Sequence, residues 1–386
     1  MTSEYRPRTI AAHEGDTPAA WQGAVAPPIY ETSLFTFPTF EAAQAAFRGS
    51  DAYIYTRGWN PTVRVAEQKI AALERGEACK VFASGMAAVS SALLRFLRQG
   101  DHVVAVRRLY IVTHRFLRDF APRYGIDHTL VDGRNLDEIT SAIQPNTKVL
   151  YLESPTSLMF DLQDLRACAA VARERGIVTI VDNSWATPMF QQPLALGIDV
   201  VVHSASKYLS GHSDVIAGAM VASQKIIDDI VQHEHAILGG NLGPFEAWLL
   251  VRGLRTLPVR MPVHQATATA VARFLSTHPR VRAVHYPGLE SHPQYELGRR
   301  QMSGASGLLS FELDADVDGL RAFTNSLRLF AIGVSWGGYE SLVLPIVVTD
   351  AEASEGNYPV NLVRLSIGLE EPAALVEDLE QALRVS

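Results

Sequence analysis

Four short runs of nearly unbroken aliphatic residues punctuate the middle of the chain: HVVAV at 102–106, KVLYLE at 148–153, IVTIVD at 177–182 and VVVHSA at 200–205. None alternates apolar with polar residues over its length, so none reads as a strand with one wet face. Amphipathic helical stretches lie between them, such as NLDEITSAI and LQDLRACAAVARERG, the second ending at Gly176. Strands that are apolar on both faces and alternate with helices specify an α/β fold, with a mostly parallel sheet covered on both sides. VIAGAMVAS at 215–223 is expected to return as a further strand, with QKIIDDIVQH opening a helix after it.

The flanks read differently. Residues 1–50 carry prolines and aromatics without a sustained period, which predicts an extended arm and a short helix over 39–47. TVRVAEQKIAALERG predicts a helix capped at Gly76. Near residue 245 a long apolar helix begins with PFEAWLLVRGL and is expected to bridge two domains. Beyond it the pattern is that of a smaller α+β unit. It has a helix at 262–276, strands in RVRAVHYP, GLLSFELD and NLVRLSIGLE, a closing helix in AALVEDLEQALRV, and GYESLVLP as a loop returning to a shared cleft. The expected division is an arm at 1–50 that contacts a neighbouring subunit, a large domain at 51–245 and a C-terminal α+β domain at 246–386.

A net charge of −7 provides no broad basic field, which argues against nucleic acid as a partner. No apolar run reaches membrane-spanning length without charge, and the first residues lack a secretory pattern. Two cysteines, Cys79 and Cys168, suit a reducing compartment, so the expected location is cytoplasmic. Four histidines, His203, His212, His233 and His235, form no tight ligand set with cysteine or acid, and His233 and His235 are expected to face solvent on a helix.

Lysine is scarce, with only five against 29 arginines. Lys69, Lys80 and Lys225 read as surface residues and Lys148 precedes a strand, but Lys207 sits among small hydroxylated residues in VVHSASKYLSGHSDVIAG. Asp182 ends a strand, where α/β folds gather their ligands. ASGMAAVSS at 83–91 opens a helix with free N–H groups suited to an anion. Tyr55 and Arg57 lie in YIYTRGWNPT, Tyr110 follows a strand, and Arg364 interrupts an apolar one. Each has a plainer reading: a capping aspartate, a structural ion pair, core aromatics, a snorkelling lysine. A pyridoxal 5'-phosphate (PLP) site explains them together. Lys207 forms the Schiff base and later moves protons, and Asp182 faces the pyridine nitrogen. Gly85, Met86, Ser204 and Ser206 cradle the phosphate, Tyr110 stacks on the ring, and Arg364 holds a substrate carboxylate.

The ordered series YTRGWNPT, FASGMAA, YLESPT, VDNSWATP, HSASKYLSGHSDVIAG, LLVRGLRTL, SWGGYESL and VRLSIGLE resembles the Cys/Met metabolism family of PLP enzymes, over nearly the whole chain. That group holds the cystathionine β- and γ-lyases, cystathionine γ-synthase and methionine γ-lyase. The resemblance implies the aspartate-aminotransferase-like fold type I, with a mostly parallel seven-stranded sheet and a smaller C-terminal domain. It implies Lys207, Tyr110 and Asp182 as catalytic residues, and Tyr55 and Arg57 reaching the phosphate, and Tyr55 also the substrate, in a neighbouring subunit. Ser335, Arg364 and Trp336 fall at substrate-binding positions. A homodimer with shared sites, paired into a homotetramer and acting on a small amino acid, follows from it.

Departures from the family pattern bear on the reaction. Ser157 stands where the family has asparagine, with expected room for water, and Val112 where methionine γ-lyases carry cysteine. Trp336 replaces the commoner leucine and resembles certain cystathionine β-lyases, and Val334 replaces a glutamate seen in γ-acting cystathionine enzymes. Trp336 and Val334 are expected to form an apolar wall. The first expectation is therefore a carbon–sulfur lyase working by β-elimination on a cystathionine-like amino acid. The alternative is γ-elimination or γ-replacement on cystathionine, methionine or an O-activated homoserine.

Overall fold

The aliphatic runs pair side by side in a computed structural model that describes residues 6–49, 52–346, 358–359 and 361–385. They form β2 (His102–Val106), β4 (Thr147–Glu153), β5 (Val178–Asp182) and β6 (Val200–His203), joined by β1 (Ala78–Phe82), β3 (Asp127–Val131) and β7 (Gly218–Ala222). The seven-stranded sheet has the order β1-β7-β6-β5-β4-β2-β3. The pairs from β6 to β3 are parallel, and β7 is antiparallel to both its neighbours. Reversal at β7 restores β1 to the direction of the parallel strands, so one edge of the sheet collects the C-terminal ends of β1, β2, β4, β5 and β6. β2 and β7 are buried at every position, as unbroken aliphatic strands covered on both faces should be.

A second, five-stranded sheet builds the smaller C-terminal domain from β8 (Val281–His285), β9 (Leu308–Leu313), β10 (Ala331–Ile332), β11 (Leu342–Ile346) and β12 (Leu362–Ser366), in the order β10-β11-β12-β9-β8. LVLP is therefore strand β11 rather than loop, and only the residues before it form a turn. Each sheet has its own apolar core, and Trp336 packs against both.

The helices expected near 245 and at 262–276 are one 34-residue helix, Pro244–Thr277. Pro258 and Pro262 remove two backbone donors without ending it. In the turn ahead, the Arg260 guanidinium and the Thr256 hydroxyl donate to the Gly253 carbonyl at 2.9 and 3.0 Å. A Cβ on Gly253 would stand 2.7 Å from the Leu209 carbonyl, so only glycine lets this helix lie against the turn that carries Lys207.

Several local expectations need correction. The helix Pro61–Glu74 is capped by Arg75, at φ 58°, rather than by Gly76. His235 is buried against Phe82, at 5.2 Å between ring centroids, while His233 is exposed. Lys69 and Lys80 are not surface residues, since both side chains are buried. The Lys69 ammonium donates at 2.6 Å to the carbonyl of Glu14, the residue just past the helix Pro7–His13, and burial lowers its pKa to about 8. Lys80 is held by Glu67 at 2.8 Å. Both ammonium groups could leave water because distant backbone and a carboxylate receive them. Cys79 and Cys168 are free and buried. Among the described residues no helix is long and apolar enough to cross a membrane, and no cluster of metal-ligating residues occurs.

Candidate active site

Lys207 lies in the turn that leaves β6. Its N–H bonds the Ser204 carbonyl at 3.1 Å, and its own carbonyl accepts from the Gly211 N–H at 2.8 Å. The side chain leaves the sheet edge for the C-terminal domain, where Nζ donates to Ser335 Oγ at 2.6 Å and stands 5.6 Å from the Trp336 ring centroid. Burial, reinforced by the positive Arg364 and opposed by Asp182, lowers its pKa to about 8. At pH 7 about a tenth of such an amine is unprotonated, far more than an ordinary lysine offers as a nucleophile or base.

Arg364 reaches the same place from β12, and Nη2 donates to the Ser335 carbonyl at 2.8 Å. Burial lowers its pKa to about 10, so it stays cationic. Ser335 thus takes Lys207 on its hydroxyl and Arg364 on its carbonyl. Its φ of 71° is left-handed, a conformation that costs a serine of order 1 kcal/mol. Val334 beside it is 76% exposed and Trp336 is half-buried on Tyr208, with ring centroids 5.4 Å apart. The expected apolar wall is therefore split: Trp336 serves the packing between the cores, and Val334 faces outward.

Asp182 ends β5 and accepts the Ser184 N–H at 2.9 Å. Burial raises its pKa, opposed by the Ser184 bonds and by the charges of His203 and Lys207. The Ser184 hydroxyl also accepts the Ser204 N–H at 2.7 Å, which ties β5 to the lysine turn. Behind Asp182, His203 Nε2 meets Glu74 Oε1 at 2.6 Å, and Asn183 Nδ2 donates to the same oxygen at 2.8 Å.

The sequence reading overlooked Glu153. It ends β4 and pairs in register with Asp182, so two carboxylates share one corner of the sheet edge. Glu153 accepts the Tyr110 N–H at 2.7 Å and the Ser157 hydroxyl at 2.6 Å. Burial first, and repulsion from Asp182 second, push its pKa up to about 8. Burial thus favours the protonated form of both carboxylates, and their mutual repulsion adds to it at Glu153. Ser157, at the position of the family's asparagine, thus turns its hydroxyl to Glu153. The signal was present, since ESPT and VDNS both end strands with an acid. Tyr110 itself is 47% exposed at the start of the helix Ile111–Arg115.

The phosphate-type features also converge. β1 delivers Ser84, whose hydroxyl caps the helix Gly85–Phe96 by accepting the Ala87 N–H at 3.1 Å. This leaves the Gly85 and Met86 N–H groups at the helix start without an acceptor among the described residues. A Cβ on Gly85 would stand 2.9 Å from Ser204 Cβ, so glycine lets the helix N-terminus and the lysine turn form one cradle. Ser206 donates to the Ala217 carbonyl at 3.2 Å and accepts its N–H at 2.9 Å, so its hydroxyl is already engaged. These groups fit a phosphorylated pyridine aldehyde: an anion cradle, a carboxylate for the ring nitrogen and a depressed amine. Tyr55 and Arg57 stand apart from this cluster in their hydrogen bonding. Tyr55 is 46% exposed, and the Arg57 guanidinium lies 5.3 Å from its ring centroid.

The chain is 43% identical to the L-methionine gamma-lyase of Pseudomonas putida, over 98% of this chain and 97% of that one. It is 40% identical to the cystathionine gamma-lyase of Bacillus subtilis, over 97% and 98%, and 40% identical to the cystathionine gamma-synthase of Mycobacterium bovis, over 98% and 96%. The family model of the Cys/Met metabolism PLP-dependent enzymes matches residues 8–384, and the chain belongs to that family.

Proposed function

We propose that the protein is a PLP-dependent carbon–sulfur lyase that eliminates a thiol from the γ-carbon of a methionine- or cystathionine-like L-amino acid. The observation that carries the choice of carbon is full-length similarity, at 40–43% identity, to three proteins each named for a γ-reaction. The expectation of β-elimination rested on Trp336, and the packing of that side chain between two cores removes its main support.

Gly85, Met86 and Ser204 would hold the cofactor phosphate, with Ser206 able to join by turning its hydroxyl from Ala217, and Asp182 would keep the ring nitrogen protonated. Bound PLP supplies the electron sink that accepts the charge left at Cα. Lys207, neutral in part and steered by Ser335, takes the proton from Cα and then one from Cβ, which a γ-departure requires. Tyr110 returns a proton to the leaving sulfur. Arg364 holds the substrate carboxylate in a charged fork, with Ser335 beside it. Tyr55 and Arg57 complete the phosphate site of a neighbouring subunit, with Tyr55 also facing its substrate, in a homodimer that pairs into a tetramer. Their exposure in the single chain supports this reading.

The test is product identification by mass spectrometry with L-methionine and L-cystathionine. Release of 2-oxobutyrate, with methanethiol from the first and cysteine from the second, is expected. Pyruvate and homocysteine from cystathionine would overturn the γ-assignment in favour of β-elimination.

A further inference from the structure

An ammonium group inside a sheet needs a reason. Lys80 is the middle residue of β1, between Met220 of β7 and the helix Pro61–Glu74, and its side chain is 2% exposed. Nζ lies 2.8 Å from Glu67 Oε1, donates to the Gly58 carbonyl at 2.7 Å and sits 4.4 Å from the Trp59 ring centroid. A buried ion pair is a weak route to stability, because desolvation offsets the attraction and apolar residues of similar volume serve a core as well. Two of the three Lys80 contacts go not to the core but to one loop.

That loop carries Tyr55 and Arg57. It is fastened at its start by the bridge between Leu34 and Tyr55, and at its end by Asn60. Asn60 accepts the Thr62 N–H at 2.9 Å and donates to the Tyr30 carbonyl at 2.9 Å. Its middle is a tight turn in which the Gly58 and Trp59 N–H groups both bond the Tyr55 carbonyl, at 3.0 and 3.2 Å. Lys80 fastens that middle to the sheet, with the ammonium on the carbonyl of Gly58 and against the face of Trp59.

We propose that Lys80 is a positioning residue for the shared site: from inside β1 it fixes the Gly58–Trp59 turn and so sets where Tyr55 and Arg57 stand toward the cofactor phosphate of a neighbouring subunit. The inference rests on the reading that Tyr55 and Arg57 complete that neighbouring site. The side chains that meet the phosphate lie on the exposed side of the turn, and the group that aims them is sealed beneath it.

The experiment measures PLP release from the assembled full-length holoenzyme on dilution, followed by loss of the absorbance band near ~420 nm. The double variant E67M/K80M removes both charges together, so no orphan carboxylate remains. It is expected to melt close to the parent yet release PLP roughly tenfold faster, the scale of weakening a bond to a charged group. In an R57A background the same pair of substitutions should add nothing, because Lys80 acts through the loop. Unchanged release from folded E67M/K80M, or an effect that adds to that of R57A, overturns the proposal. W59L keeps the ion pair and loosens only the turn. It should speed release several-fold with the same non-additivity, and no change in W59L overturns the proposal should the double variant not fold. If R57A itself leaves release unchanged, the shared-site reading fails and this inference falls with it.

Discussion

Lys80 is sealed inside the large sheet and Lys207 is half-buried at its edge, and each has an indole beside it, at 4.4 and 5.6 Å. What separates them is the partner. Lys80 has a carboxylate at 2.8 Å, whereas Lys207 has a hydroxyl at 2.6 Å and a repelling arginine in range. With a neutral acceptor in contact and a second cation in range, the Lys207 amine holds its proton less tightly than an ordinary lysine. The difference teaches that burial alone does not make a lysine reactive.

The contrast can be broken most severely by replacing Lys207. K207M should lower turnover by roughly 10⁴-fold or more, measured as keto-acid release, and should abolish the absorbance near ~420 nm. Its unfolding free energy in urea should stay within about 1 kcal/mol of the parent, because no ion pair is broken.

K80M should behave in the opposite sense. It leaves Glu67 buried and uncompensated, and the same urea titration should show a loss of about 3–5 kcal/mol. Equal stability losses in the two variants would dissolve the distinction.

S335A sharpens the comparison by removing the acceptor of Lys207 while keeping the carbonyl that binds Arg364. A single hydrogen bond of about 1 kcal/mol predicts a several-fold fall in kcat. A KM that rises as much as kcat falls would mean that Ser335 serves carboxylate binding instead.

A separate test, read on stability and not on turnover, concerns Glu153. Its pKa rises from an ordinary 4.5 to about 8 on folding. Between those values the folded chain keeps a proton that the unfolded chain has released, so this residue makes stability fall as pH rises across that window. E153Q should flatten the slope in melting temperatures of the cofactor-free protein recorded from pH 5 to 8. An unchanged slope would show that Glu153 is ionised throughout.

Much of the fold was legible because β2, β4, β5, β6 and β7 are written in unbroken aliphatics. β1 and β3 were not, since ACKVF carries Lys80 and DHTLV begins with three polar residues on a half-exposed edge strand. The long helix reads as two segments in the local pattern, whereas the structure carries one helix through Pro258 and Pro262. At the site, Lys207 and Asp182 stood out for their settings. Glu153 did not, because its meaning depends on the register that sets it beside Asp182. Lys69 and Lys80 were read as surface residues for a related reason. The Glu14 and Gly58 carbonyls that receive them lie 55 and 22 residues away in the chain.

Ser335 holds one more consequence. Its hydroxyl accepts from Lys207 and its carbonyl accepts from Arg364, so the docking group and the reacting amine meet on one strained residue. A substrate carboxylate docked on Arg364 as proposed would compete for the guanidinium that anchors Ser335, and so would disturb the hydroxyl bonded to the amine. Under the roles proposed for Arg364 and Lys207, arrival of the substrate and release of the amine would become one event in time, and a molecule without the carboxylate would leave the amine tethered.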